Sequence, residues 1–209
     1  MKTKNILLIG PHPDDVFISC AGFVISNLSK YKFIVCNMSS AGVGSDYSTR
    51  IKEEELAWSK ISKNIEVIFL ESGIDTRLSE AYNEMVLLIE ELIHKFNPEI
   101  IFTPYYNDTH QDHVAVSQAT MSASRYRKNI LFYETPSTCK FYPSVFFKLK
   151  NKILNMKKQT SAVYGSQILG DSTYKVTLSE IIEAKALSNG VTSRVCKFAE
   201  GFLPFKFFL

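Results

Sequence analysis

The chain has 209 residues, of which 45% are hydrophobic and 22% charged, with a formal net charge of +3. This composition excludes global disorder, and the length suits one well-cored domain spanning residues 1–209. The small positive excess is too weak to point to nucleic acid, and no apolar run approaches the ~18 residues of a membrane span. The four cysteines, Cys20, Cys36, Cys139 and Cys196, form no CxxC pair. They read as reduced thiols of a cytoplasmic protein, and the run Ile6–Ile9 is too short for the core of a signal peptide.

Asn5 to Gly10 reads as a buried strand, Ile18 to Tyr31 as a helix and Lys32 to Met38 as a second strand. Arg50 to Ser62 reads as a helix of mixed polarity and Glu66 to Leu70 as a third strand. From Ser79 to Phe96 the residues Met85, Leu88, Ile89, Leu92, Ile93 and Phe96 recur at steps of three and four, placing them on one helix face that Pro98 closes. Glu99 to Thr103 and Ile130 to Glu134 are further strands, with a helix over His113 to Ser124 between them. The alternation predicts an α/β fold: a Rossmann-like, doubly wound, mostly parallel sheet in three layers, with strand order 3-2-1-4-5. Beyond it, Phe146 to Lys158 reads as one basic amphipathic segment, either a solvated helix or a patch for an anionic partner. Thr177-Leu-Ser-Glu180 resembles a capping box opening a helix that Gly190 ends. The aromatic tail, Phe202 to Leu209, packs on the domain or on a neighbouring subunit, which allows a homo-oligomer.

Two clusters carry chemistry. Pro11-His12-Pro13-Asp14-Asp15 follows the first strand, and His110-Gln111-Asp112-His113 follows the fourth. In the order 3-2-1-4-5 these strands are neighbours, and their C-terminal loops flank the crevice where such sheets bind ligands. Two imidazoles and a carboxylate around an open position make a catalytic zinc site, and a further carboxylate can take the proton of a metal-activated water. His94, among Glu90, Glu91 and Lys95 off the apolar stripe of its helix, reads as a solvated residue. Ser19 and Cys20 read as packing.

These motifs resemble those of the PIG-L/LmbE family of zinc-dependent N-deacetylases, which includes the bacillithiol and mycothiol pathway enzymes. Pro11 to Asp15 with the downstream Gly22 is similar to the family's first signature, and Pro104 to His113 to its second. Looser likenesses lie at Arg50-x-x-Glu53 with Ala57, at Asp75, at Tyr133-Glu134 and at Ala199 to Phe202. The resemblance implies that His12, Asp15 and His113 bind one Zn2+ and that Asp14 is the general base. It implies that His110 stabilises the oxyanion and protonates the leaving amine, and that Asp112 orients His110 or a metal ligand. Arg50 would meet polar groups of a small amino-sugar substrate. Val16 and Phe17 stand where many members carry a glutamate, so local hydrogen bonding must differ. Ser39 to Gly44 falls where relatives carry a substrate loop and is no nucleotide fingerprint. The implied reaction is removal of an N-acetyl group from a GlcNAc-like sugar. Two alternatives stand beside it: a zinc amidohydrolase of another acyl amine, and a non-catalytic sugar- or nucleotide-binding relative.

Overall fold

The central strand β1 (Lys4–Gly10) is apolar on both faces: Ile6 and Leu8 point to one side, Leu7 and Ile9 to the other, and all four are fully buried. Such a strand must be covered twice. The structure, a computed structural model, describes residues 3–39, 47–70, 75–167 and 176–208. All but the first residue of the Ser39–Gly44 stretch lies outside the described residues. The elements run β1, α1 (Asp15–Asn27), β2 (Tyr31–Asn37), α2 (Tyr47–Ile61), β3 (Glu66–Phe69), a 3-10 turn (Leu78–Ala81), α3 (Tyr82–Phe96), β4 (Ile100–Pro104), α4 (Gln111–Ala123) and β5 (Ile130–Tyr133). They continue with β6 (Val145–Lys148), α5 (Asn151–Ser161), α6 (Leu178–Ser193) and β7 (Ala199–Lys206).

The strands form one sheet in the order β3-β2-β1-β4-β5-β7-β6. The first five pair in parallel, with Gly10 opposite Asn37 and Leu8 opposite Phe102. Strand β7 is antiparallel to both β5 and β6. The expected order 3-2-1-4-5 is therefore present, extended by two antiparallel strands. On one face α1, α2, α5 and α6 bury Val16, Phe17, Val24, Trp58, Leu154 and Ile182. On the other, α3 and α4 bury Met85, Ile89, Leu92, Phe96, Ala115 and Val116. This is the three-layer α/β arrangement read from the sequence. Among the described residues, no helix is long and apolar enough to cross a membrane.

Helix α3 ends as predicted, on Asn97 in the left-handed conformation (φ 43°), whose N–H returns to the Ile93 carbonyl. The capping box at Thr177 and Glu180 also forms. Two readings need correction. Gly190 does not end α6. The helix runs to Ser193 and is capped by left-handed Arg194, and a Cβ at Gly190 would lie 2.0 Å from the Lys197 carbonyl oxygen. Glycine is there because two backbones touch. The segment from Phe146 to Lys158 is not one helix but strand β6 followed by α5. Its Lys157 is not solvated: only 2% exposed, it donates to Glu200 Oε1 and to the Ile18 carbonyl, both at 2.6 Å. The aromatic tail packs on the domain, one of the two places expected for it: most of it is strand β7, buried at Phe202 and open at Phe205, while Phe207 and Phe208 beyond it are exposed.

Candidate active site

The first cluster lies on the turn that leaves the C-terminal end of β1 and enters α1. Asp15 opens the helix, where a carboxylate meets the positive end of the dipole. Asp14, the residue before it, has φ 96° and ψ −36°. A side-chain-bearing residue holds such a conformation at a cost of about 1–3 kcal/mol, and only where its surroundings impose it. The second cluster lies where β4 runs through Tyr105–Thr109 into α4. There Asp108 Oδ1 accepts the His110 N–H at 2.8 Å, closing an Asx turn, and His110 Nδ1 in turn caps α4 by accepting the Asp112 N–H at 3.2 Å. Because β1 and β4 are paired neighbours, the two turns meet.

The three histidine rings form one cluster, with centroids 4.9 Å apart for His12 and His110, 5.6 Å for His12 and His113, and 4.6 Å for the stacked pair His110 and His113. Asp15 Oδ2 lies 3.4 Å from His12 Nδ1 and 3.4 Å from His113 Nε2. Ligand atoms of these three buried residues all fall within 4.8 Å of one another. Each histidine turns its other ring nitrogen to a carboxylate. His12 Nε2 meets Asp112 Oδ2 and Asp75 Oδ1, both at 3.1 Å, and His113 Nδ1 meets Asp108 Oδ2 at 3.1 Å. Those carboxylates are themselves fixed. Asp112 accepts the N–H groups of Thr76 and Leu78, and Asp108 accepts the hydroxyls of Thr135 and Thr138. Carboxylate, imidazole and an inward nitrogen in line is how metal-binding histidines are oriented. The donor set therefore fits a divalent cation held by His12, Asp15 and His113. A second grouping, His12, Asp75, His110 and Asp112, also has its ligand atoms within 4.8 Å of one another. Asp112 and the His110 Nδ1 are already engaged by backbone N–H groups, and Asp75 by the Arg50 guanidinium and the His12 ring, so this grouping serves the first as support.

The electrostatics agree with the geometry. Burial works against the charged form of His12, yet Asp112, Asp15 and Asp75 hold it well above the ordinary imidazole range. His113 is pushed up to about 9, Asp15 and Asp108 outweighing its burial. Asp15 is buried too, but the two imidazoles hold its carboxyl well below the carboxylate range. Asp14 goes the other way: burial first, then Asp15 and Glu54, raise it well above that range against the pull of Arg50. His110 is lowered by burial and by the neighbouring His12 and His113.

Arg50 is 7% exposed, which excludes an exposed arginine at a helix start. Its Nη1 donates to Asp75 Oδ2 at 3.0 Å and its Nη2 to the Pro13 carbonyl at 3.3 Å. The neighbouring glutamate that matters is not Glu53, which bonds Ser166 at the surface, but the fully buried Glu54. Sequence reasoning left Asp108, Glu54 and Thr135 without roles. For Asp108 a signal existed, since an aspartate two residues before a helix-capping histidine is the Asx-turn pattern.

The family model described as GlcNAc-PI de-N-acetylase, PIG-L, matches residues 7–124, which span both clusters. This chain belongs to the PIG-L family. It is 36% identical over 163 residues to the uncharacterized deacetylase YaiS of Escherichia coli K12, covering 75% of this chain and 88% of that one. The PIG-L fold here is also similar to the N,N'-diacetylchitobiose deacetylase of Pyrococcus horikoshii, with TM-score 0.76 and 19% identity over 98% of this chain and 84% of that one. It is similar as well to GalB, the 4-carboxy-2-hydroxymuconate hydratase of Pseudomonas putida KT2440, with TM-score 0.78 and 15% identity over 99% and 98% of the two chains. At these identities the last two likenesses concern the fold alone. Membership in a deacetylase family comes from the family model and from YaiS.

Proposed function

We propose that this PIG-L protein is a zinc-dependent N-deacetylase that removes the acetyl group from a GlcNAc-like amino sugar, free or conjugated. The observation that carries the reading is the convergence of His12, Asp15 and His113, each histidine backed by its own carboxylate. These three residues would hold one zinc ion per chain. When bound, such an ion supplies Lewis acidity, which polarises a carbonyl and acidifies water. Asp14, beside the ligands but not needed as one, takes the proton of the attacking water as the C–O bond forms. His110 accepts through Nδ1, so its proton resides on Nε2, which is free to donate to the oxyanion of the tetrahedral adduct. When the C–N bond breaks, the amine takes the proton held by Asp14, releasing acetate and the amino sugar. Two aspartates thus divide the work, Asp15 kept ionised and Asp14 able to carry a proton. Both Nη atoms of Arg50 are engaged, which supports a positioning role more than a substrate contact. The four cysteines are free thiols, in keeping with a cytoplasmic location.

The test is metal analysis of the purified protein combined with acetate release from N-acetylglucosamine and its small glycosides. About one zinc per chain and zinc-dependent acetate release are expected. A metal-loaded protein that leaves all N-acetyl sugars intact but cleaves another acyl amide would redirect the reading to that substrate. A chain that takes up no metal would end it.

A further inference from the structure

The conformation of Asp14 needs a cause, and helix α2 supplies it. The Pro13–Asp14 peptide group is engaged at both ends by side chains one turn apart on α2. Arg50 Nη2 donates to its carbonyl at 3.3 Å, and Glu54 Oε2 accepts its N–H at 3.1 Å. Glu54 is fully buried and, among the described residues, faces no cation at hydrogen-bonding distance. Its oxygens instead take the Trp58 indole N–H at 2.8 Å, the Tyr164 hydroxyl at 2.5 Å and the Asn37 amide at 3.3 Å. Phe17 packs against both Trp58 and Tyr164, with centroids 5.1 and 5.4 Å away, so the carboxylate sits in a stiff aromatic box. A buried carboxylate without a cationic partner costs stability even when neutral donors satisfy its oxygens.

We infer that Arg50 and Glu54 form a clamp on the Pro13–Asp14 peptide that holds Asp14 at positive φ, and that Glu54 is thereby a positioning residue for the general base. This rests on the deacetylase reading given above. Val16, next to the motif, carries no polar group, so the carboxylate that organises this turn comes from α2. A merely structural Glu54 would tie α2 to the sheet and leave the Asp14 torsion indifferent to its loss.

Crystal structures and steady-state kinetics of the zinc-loaded Glu54→Leu and Glu54→Gln variants decide between the two. Glu54→Leu removes every acceptor. Asp14 is expected to leave positive φ and kcat to fall by about ten- to a hundredfold, with KM and zinc content within about twofold. Glu54→Gln keeps one oxygen, and part of kcat is expected to return where that oxygen faces the Asp14 N–H. Ile89→Ala, in the opposite core layer, should lower Tm while leaving kcat unchanged. Positive φ at Asp14 in Glu54→Leu, or kcat within twofold of wild type, overturns the clamp. Should Glu54→Leu not fold, positive φ in Glu54→Gln with the amide nitrogen turned to Asp14 overturns it equally. If the wild-type protein hydrolyses no amide, the functional reading fails, and the Asp14 torsion in the variants still decides the clamp.

Discussion

The parallel half of the sheet and its antiparallel C-terminal extension solve different problems. Every residue of the proposed metal set and its carboxylate support lies between β1 and α4, at the C-terminal ends of parallel strands or on the turns beside them. That part gathers rings and carboxylates where strand order reverses. Among the described residues, the extension, β6, α5, α6 and β7, places no group in the histidine cluster. It stands behind α1 instead, where Glu200 accepts the N–H groups of Gly22 and Phe23 at 2.7 Å and Lys157 takes the Ile18 carbonyl. A buried ion pair is thus built into the flank of the helix whose first residue is Asp15. One region performs the proposed chemistry and the other holds its helix still.

Four substitutions can break or sharpen that contrast. Asp14→Ala should remove about 10²- to 10⁴-fold of kcat while zinc content stays at wild-type level. Retained turnover would shift the base elsewhere. Glu200→Gln leaves Lys157 buried without its counterion and should cost about 3–5 kcal/mol in denaturant unfolding. Its kcat per folded, metal-loaded molecule should remain within about twofold, and a large loss would mean that the two regions are not separable. Asp108→Asn should weaken zinc binding by about ten- to a hundredfold in competition with a chelator, with little change in stability. Thr177→Ala opens the capping box of α6 and should cost about 1 kcal/mol, with no effect on metal affinity.

Much of the parallel region was legible because its signals are local. The apolar run of β1, the stripe of α3 and the alternation of short strands with helices follow from side-chain periodicity. The pairing of the two motif turns follows from strand order. The extension was read less well for physical reasons. Gly201 and Pro204 interrupt the alternation of β7, and five lysines obscured the break between β6 and α5. A lysine's charge also suggests solvent, and only its partner tells otherwise: Lys157 is buried because Glu200 comes to it from a distant strand.

The site divides in the same way. The two clusters could be picked out from their residue types and their place after strand ends, while the choice of His12, Asp15 and His113 within them came from the family resemblance. Which glutamate of α2 turns inward, which carboxylate backs which imidazole, and why Asp14 stands at positive φ were decided by tertiary structure. Each depends on a contact between segments remote in sequence, such as Tyr164 with Glu54 or Asp112 with His12. The sequence determined the chemistry that the turns can present. Packing determined its orientation, because a hydrogen bond needs a partner at the right distance and periodicity along one chain does not encode that distance.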